Sequence, residues 1–395
     1  MLTFHLLAGI LVDHSKIAIF DLALIIDLMN NRFHDIFFQL LQIGLWQKGL
    51  LITDQELSSK EWTVIYQLAS THTVEGIIYD SFSFLKESQL PPQSLRLQWA
   101  VRIDQIERYN ARMNDVIANQ YEVFTKEGIH PILQKGQGVA TCYIKPKHRI
   151  SGDIDWYFPN KDYKAVRKLL KQQKITFKDT AGFSLDYIWK GVPVEHHKML
   201  FDIRSPLKYK YLRSLEKEYQ DKQQNLLING IAIKLLAPEL QLLQVTSHIL
   251  KHMISFGIGF RQICDVARLY TTYKDKINGI LLYEMYKKAG ILKWIHVLHH
   301  LLEEKLGLQK EELPFNYPLE THSNWMLTEI WHGGNFGYHD DRFSDGKINR
   351  KISVHPDADK RLWGNFKRYL PYAPQEAIFF PIIHLYSKFL GIDRD

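Results

Sequence analysis

Apolar positions first recur at helical spacing over 33–48, where Phe33, Ile36, Phe37, Leu40, Leu41 and Leu45 fall on one stripe. Asp54 is placed to cap a second helix running toward Ala69. After the break at Pro91-Pro92, Ser94 is placed to cap a long third helix that ends before Gly128. Trp99, Ile103, Ile106, Met113, Val116, Ile117 and Phe124 form its stripe. At about 33 residues it exceeds the usual helix length, which predicts that it spans a boundary between layers. The N-terminal third therefore reads as all-helical.

The texture changes after Gly128. Residues 129–134 form a short strand that Pro131 restricts to an edge or a strand start. Gly136-Gln137-Gly138 breaks it, a brief helical run reaches Ile144, and a basic loop covers 145–149. Alternation over 153–158 predicts a strand, 162–172 a helix, and 183–189 with 192–197 a hairpin turning at Lys190-Gly191. From Pro238 onward helical periodicity returns over 239–251, 261–273, 281–288 and 291–306. An unusual loop, His332-Gly333-Gly334-Asn335-Phe336-Gly337, follows, and the last amphipathic stretch, 375–390, is expected to break or kink at Pro381.

The expected fold class is thus α+β: a small mixed-sheet unit, 129–235, between helical regions at 1–128 and 236–395. Residues 1–28 carry no cap and no sustained stripe. They are expected to be dispensable, as a loosely attached segment or as an upstream extension of a reading frame starting at Met29.

Composition narrows the class. With 46% hydrophobic and 24% charged residues over 395 positions, the chain is that of a soluble globular protein and neither disordered nor collagen-like. Two distant cysteines, Cys142 and Cys264, make neither a disulfide framework nor a four-thiolate zinc site, which points to a reducing, cytoplasmic setting. Asp13, Lys16, Asp21 and Asp27 interrupt the apolar start, so no membrane span is expected. Charge is uneven: 134–217 holds 18 Lys and Arg against 8 Asp and Glu, a surplus of 10 in a chain whose net charge is +7. A basic segment in a near-neutral frame fits a polyanion, either nucleic acid or a nucleoside triphosphate. It equally fits a solvated helix face, because 161–178 alone carries seven basic residues.

The informative cluster is Lys135-Gly136-Gln137-Gly138 followed by Arg149-Ile150-Ser151-Gly152-Asp153-Ile154-Asp155. On a strand, residues i and i+2 share a face at about 6.6 Å, so Asp153 and Asp155 project side by side. Adjacent carboxylates repel unless a cation lies between them, and Mg2+ takes carboxylate oxygens readily. Glycines before a helix let backbone N–H groups approach a phosphate. Glu195, on the neighbouring strand, would complete a metal site, with Asp202 the next choice. Gly136-x-Gly138 with an acid 19 residues after its first glycine imitates a dinucleotide-binding turn but fails at Thr141, where the third glycine belongs. No P-loop pattern occurs.

Lys135-Gly136 followed by Arg149-x-x-Gly152-Asp153-x-Asp155 on a strand resembles the nucleotidyltransferase superfamily of the DNA polymerase beta type. Within it, the chain resembles the bacterial family of uncharacterised nucleotidyltransferases, in which a helical region precedes this unit. The resemblance runs over about 34–340 and is strongest at 135–158. It implies that Gly136 belongs to the glycine motif, that Asp153 and Asp155 are the paired metal acids, and that Glu195 and His197 form the later acid-x-His element. His248, His252, Arg261 and Asp265 match its downstream helical pattern. Gln137 departs from it, standing where the superfamily has Ser or Gly.

The implied activity is transfer of a nucleoside monophosphate from an NTP, expected to be ATP, to an acceptor hydroxyl, with two Mg2+ ions and release of pyrophosphate. Asp153 and Asp155 would bridge both ions, and Glu195 would bind the catalytic ion and help deprotonate the acceptor. Lys135, Gly136, Gln137, Gly138, Arg149 and Ser151 are the expected nucleotide-binding residues. The acceptor is open: a small molecule, a peptide, a protein or tRNA. A catalytically silent nucleotide- or protein-binding module on the same fold is the alternative, and the three acids together argue against it. Replacing Asp153 or Asp155 by Asn is expected to hold or raise the stability of the ion-free protein. His248 and His252 read as core or capping histidines, since Ile249 stands where a metalloprotease motif needs Glu. Arg261 and Asp265 read as a surface ion pair.

Overall fold

A computed structural model describes residues 31–53, 55–180, 184–338, 340, 342 and 358–389; residues 1–28 and Asp54 lie outside them. The N-terminal stripe forms α1 (Asn31–Trp46), followed by α2 (Ser59–Thr71), α3 (Glu75–Ser81) and α4 (Gln93–Lys126). The cap of α2 is Ser58: its hydroxyl accepts from the Glu61 N–H while the Glu61 carboxylate accepts from the Ser58 N–H, a reciprocal pair that fixes the helix start. Pro92 occupies the N-cap of α4, which leaves Ser94 inside the helix rather than capping it. The length of α4 has a reason. Trp99, Ile103 and Ile106 pack in one hydrophobic core, and Met113, Val116, Ile117 and Phe124 in another.

The second core lies under a seven-stranded mixed sheet. Its elements are β1 (Ile132–Gln134), α5 (Lys135–Ala140), β2 (Ile154–Tyr157), α6 (Asn160–Gln172), β3 (Phe177–Thr180), β4 (Ser184–Trp189), β5 (Val192–His197), α7 (Tyr209–Glu218), β6 (Gln224–Ile228) and β7 (Ile231–Leu235). The strand order is β3-β4-β5-β2-β1-β7-β6, with β2–β5 and β1–β7 parallel and the other pairs antiparallel. β1 is interior, and Pro131 lies just before its first residue, where no ladder donor is lost. Lys190 and Gly191 turn the β4–β5 hairpin at φ 47 and 77. Asn229 and Gly230 do the same between β6 and β7 at φ 49 and 83, the backbone that tight two-residue turns require.

Helices then enclose the other core: α8 (Pro238–Ser255), α9 (Phe260–Tyr273), α10 (Gly279–Ala289), α11 (Leu292–Leu306), α12 (Asn324–Gly333), α13 (Ala358–Tyr369) and α14 (Pro374–Phe389). Their buried faces join those of α1–α3 in one cluster. Pro381 sits inside α14 without ending it. The fold class is α+β, a small mixed sheet flanked by helical regions. Among the described residues no helix is long and apolar enough to cross a membrane.

Gly44 marks where α1 meets α3 backbone to backbone: a Cβ there would lie 1.7 Å from the Ile77 carbonyl oxygen. Gly44→Ala should therefore lower the unfolding free energy by about 3 kcal/mol, the upper range for overpacking. Gly364→Ala, with nothing within 4 Å of the new methyl, should raise it by up to about 1 kcal/mol through helix propensity. Urea midpoints of the two variants check the pair.

Candidate functional site

Parallel pairing of β2 with β5 sets Asp155 opposite Glu195 and Tyr157 opposite His197. Because side chains alternate along a strand, Ile154, Trp156, Val194 and His196 go down into the core beneath α4. Asp155, Glu195 and His197 share the opposite face, which Asp153 reaches from just before the strand. His197 Nε2 lies 2.8 Å from Asp155 Oδ1 and 3.5 Å from Glu195 Oε2. Among the described residues, Asp155, Glu195 and His197 are the one group whose donor atoms, all within 4.8 Å, could hold a metal ion. Asp155 is only 3% exposed, while the Glu195 side chain keeps 31%.

Lys135 supplies the counter-charge from the end of β1. Its backbone is left-handed, φ 36, and Gly136 follows at φ 41 and ψ −121. This turn brings Lys135 Nζ within 3.0 Å of Asp155 Oδ1 and 3.3 Å of His248 Nδ1 on α8. His248 Nδ1 also lies 2.9 Å from Asp202 Oδ2, whose other oxygen takes Lys251 Nζ at 3.3 Å. His248 thus reaches the cluster, and His252 stacks edge-on against it at 4.3 Å between ring centroids. Neither belongs to a metal-holding group among the described residues.

The loop leading into Asp153 is fixed from both sides. Arg149 Nε and Nη2 donate to the two Asp265 carboxylate oxygens at 2.8 and 2.6 Å, and Arg149 Nη1 donates to Ser151 Oγ at 2.8 Å. Tyr143 donates to Asp265 at 2.7 Å, and Arg261 to the Ile150 carbonyl at 2.8 Å. The expected Arg261–Asp265 surface pair is therefore replaced by inward contacts: α9 turns both residues toward the loop, and Asp265 is buried against Arg149. From α4, Asn110 Nδ2 donates to the Lys147 and Arg149 carbonyls at 2.7 and 2.9 Å, while its oxygen accepts from Gln137 Nε2 at 2.7 Å.

Of the expected nucleotide-binding side chains, then, Lys135 reaches the acids, whereas Gln137, Arg149 and Ser151 are buried in contacts within the protein. Gly136 and Gly138 line the turn between them. Asn110 went unread in the sequence. Its signal was a polar residue on the apolar stripe Ile103-Ile106-Met113, where burial demands hydrogen-bond partners. The seven basic residues of 161–178 are all exposed, so that charge run is a solvated face and not part of this cluster.

The two aspartates are opposites electrostatically. Burial, followed by repulsion from Asp155, pushes Asp153 up to about 7. Burial also opposes ionisation of Asp155, but Lys135 and His197 outweigh it and hold that carboxyl well below its usual range. Burial and the nearby Lys135 ammonium lower His248 to about 4. The expectation of equal behaviour on Asn substitution consequently divides. Because the folded protein favours protonated Asp153, its stability falls as pH rises from about 4 to about 7. In chelator at pH 8, Asp153→Asn should be more stable than the parent by about 1 kcal/mol or more, a gain absent at pH 4. Asp155 ionisation stabilises the fold above the ordinary carboxylate range and that contribution is lost in acid. Asp155→Asn, which takes the nearest carboxylate from Lys135 but leaves it Asp202, Glu195 and His248, should cost about 1–3 kcal/mol at pH 8. Shifts of the same sign in denaturation curves of the two variants would contradict this asymmetry.

Three comparisons bear on this arrangement. No curated protein matches the chain. Among solved structures, an antigenic nucleotidyltransferase-like protein from Paracoccidioides brasiliensis aligns over 54% of this chain and 95% of its own, at 14% identity. Its TM-score of 0.34 leaves that likeness too distant to carry an argument. A family model described as "Uncharacterised nucleotidyltransferase" matches residues 58–307. That span is more than half of the chain and contains the whole sheet, the acid cluster and the α8–α9 face opposite it. The chain belongs to this family of uncharacterised nucleotidyltransferases.

Proposed function

We propose that the protein is an active nucleotidyltransferase, dependent on divalent metal, that moves a nucleoside monophosphate from an NTP to an acceptor hydroxyl and releases pyrophosphate. The observation that carries this reading is the convergence of Asp153, Asp155 and Glu195 on one sheet face beside the Lys135 ammonium. The donor set suits a hard dication: burial and the neighbouring Asp155 carboxylate hold Asp153 at about 7, and carboxylate oxygens are the ligands Mg2+ prefers. Asp153, Asp155 and Glu195 would hold the ions. When bound, two Mg2+ ions supply neutralisation of the triphosphate and of the developing charge on the acceptor and leaving oxygens.

The remaining work falls to the chain's own groups. Glu195, on β5 with 31% of its side chain exposed, is placed to take the acceptor proton. Lys135, poised between Asp155 and His248, can turn to a phosphate oxygen as the acids gain other positive charge. The Gly136–Gly138 turn presents backbone next to them without bulky side chains. Arg149 acts through Ser151 and Asp265 by fixing the loop that carries Asp153, a positioning role rather than contact with phosphate. ATP is the NTP we favour, and the acceptor is a small molecule, a peptide, a protein or tRNA.

The test is incubation with Mg2+, each alpha-labelled NTP and fractions of cell extract. Transfer of label with release of pyrophosphate is expected. Asp153→Asn and Asp155→Asn should each abolish it, and Glu195→Gln should cost comparable turnover with a smaller loss of nucleotide affinity. Tight nucleotide binding without pyrophosphate release would favour the silent module, and wild-type turnover in the Asp variants would remove the metal assignment. Unchanged kinetics in Glu195→Gln would shift the third acid to Asp202.

A further inference from the structure

We propose that His197 is a direct ligand of the ion held by Asp155 and Glu195, making this a mixed nitrogen–oxygen site that prefers Mn2+ to Mg2+. The inference rests on the reading of these acids as a metal site and deepens it.

Geometry comes first. Ligand bonds of about 2.1 Å place neighbouring donors of an octahedral ion about 3 Å apart. His197 Nε2 stands 2.8 Å from Asp155 Oδ1 and 3.5 Å from Glu195 Oε2, which brackets that spacing. All three donors lie within 4.8 Å of one another, so one ion can reach them without any strand moving. The backbone secures the arrangement. His197 and Glu195 are two residues apart on β5 and so share its face, and pairing with β2 fixes both against Asp155. The histidine is also inside the site, its side chain only 14% exposed, where a ring nitrogen directed at two carboxylates has little water to turn to.

Chemistry then selects the ion. Mg2+ takes oxygen and gains little from imidazole, whereas first-row transition ions bind imidazole well. Two carboxylates keep the site hard enough for Mn2+, which accepts both donor types in octahedral geometry. Lys135 now shares Asp155 Oδ1 with His197. An entering dication displaces to solvent the Nε2 proton that bonds His197 to Asp155, and it replaces the ammonium, which keeps His248 Nε2 at 3.4 Å as a second partner.

The experiment uses the full chain, stripped with chelator, and the ions alone. Calorimetry should show Mn2+ binding at least tenfold tighter than Mg2+. Electron spin-echo modulation of the bound Mn2+ should show coupling to a nitrogen-14 nucleus. His197→Gln can still donate to Asp155 but offers no imidazole; it should lose the coupling and bring the Mn2+ affinity down toward that of Mg2+, with Mg2+ affinity within about twofold of the parent. Mn2+ bound without nitrogen coupling, or an unchanged Mn2+ to Mg2+ ratio in His197→Gln, would overturn the proposal while leaving the oxygen site standing. Failure of the parent chain to bind either ion would remove both this inference and the metal-dependent function on which it rests.

Discussion

A carboxylate buried as deeply as Asp155 cannot stay ionised without positive charge beside it, and much of the local structure answers that demand. Ionising an isolated buried acid costs several kcal/mol or more. The chain meets the cost by placing Lys135 and His197 on one carboxylate oxygen. To do so it bends Lys135 into a left-handed backbone, a conformation that residues with a Cβ adopt rarely. Lys135 in turn needs the carboxylates around it to stay charged inside the protein, and Asp202 and Asp155 are foremost among them. Asp202 is itself held by His248 and Lys251. The result is an alternating chain of charges running from the sheet to α8.

The same logic fixes the loop before β2. Its carbonyls and its arginine would be costly to bury unsatisfied, and those of Lys147 and Arg149, with the Arg149 side chain, find partners in helices from outside the sheet. Asn110 on α4 serves two carbonyls, Asp265 on α9 takes Arg149, and His148 bridges Asp80 on α3 and Glu107 on α4 at 2.7 and 2.9 Å. The N- and C-terminal helices therefore hold the acid-bearing strand in register instead of merely covering the sheet. Gly76 allows this closeness, since a Cβ there would lie 2.0 Å from the His148 carbonyl oxygen. A rigid frame of this kind leaves Asp153 with the unfavourable share of the charge. It stands beside Asp155 and Glu195, whose charges oppose its ionisation, while Lys135 and His197 sit on Asp155.

The sequence by itself determined the α+β class and the order of its main elements, and it placed Asp155 and Glu195 on one sheet face, where the fold brings them together. Stripes at helical spacing located α1, α4 and α8 to α11, alternation located β2, β4 and β5, and Asp-x-Asp with Glu195 on a later strand marked one sheet face, because each of these signals is local and periodic. Signals that depend on partners far along the chain were not legible. α7 and α12 are short, α13 was passed over despite its amphipathic pattern, and β6 and β7 were passed over although Asn229-Gly230 is a strong turn signal. Arg149 read as a phosphate ligand because a sequence shows its charge but not Asp265, more than a hundred residues away, which takes the Nε–Nη2 edge of its guanidinium while Nη1 turns to Ser151. His197 was marked beside Glu195, but its contact with Asp155, like the role of Asn110, follows only from the β2–β5 register and the path of α4. Register, burial and charge pairing are long-range properties, and they alone decided which polar residues face the cluster, which brace it, and how differently two neighbouring aspartates behave.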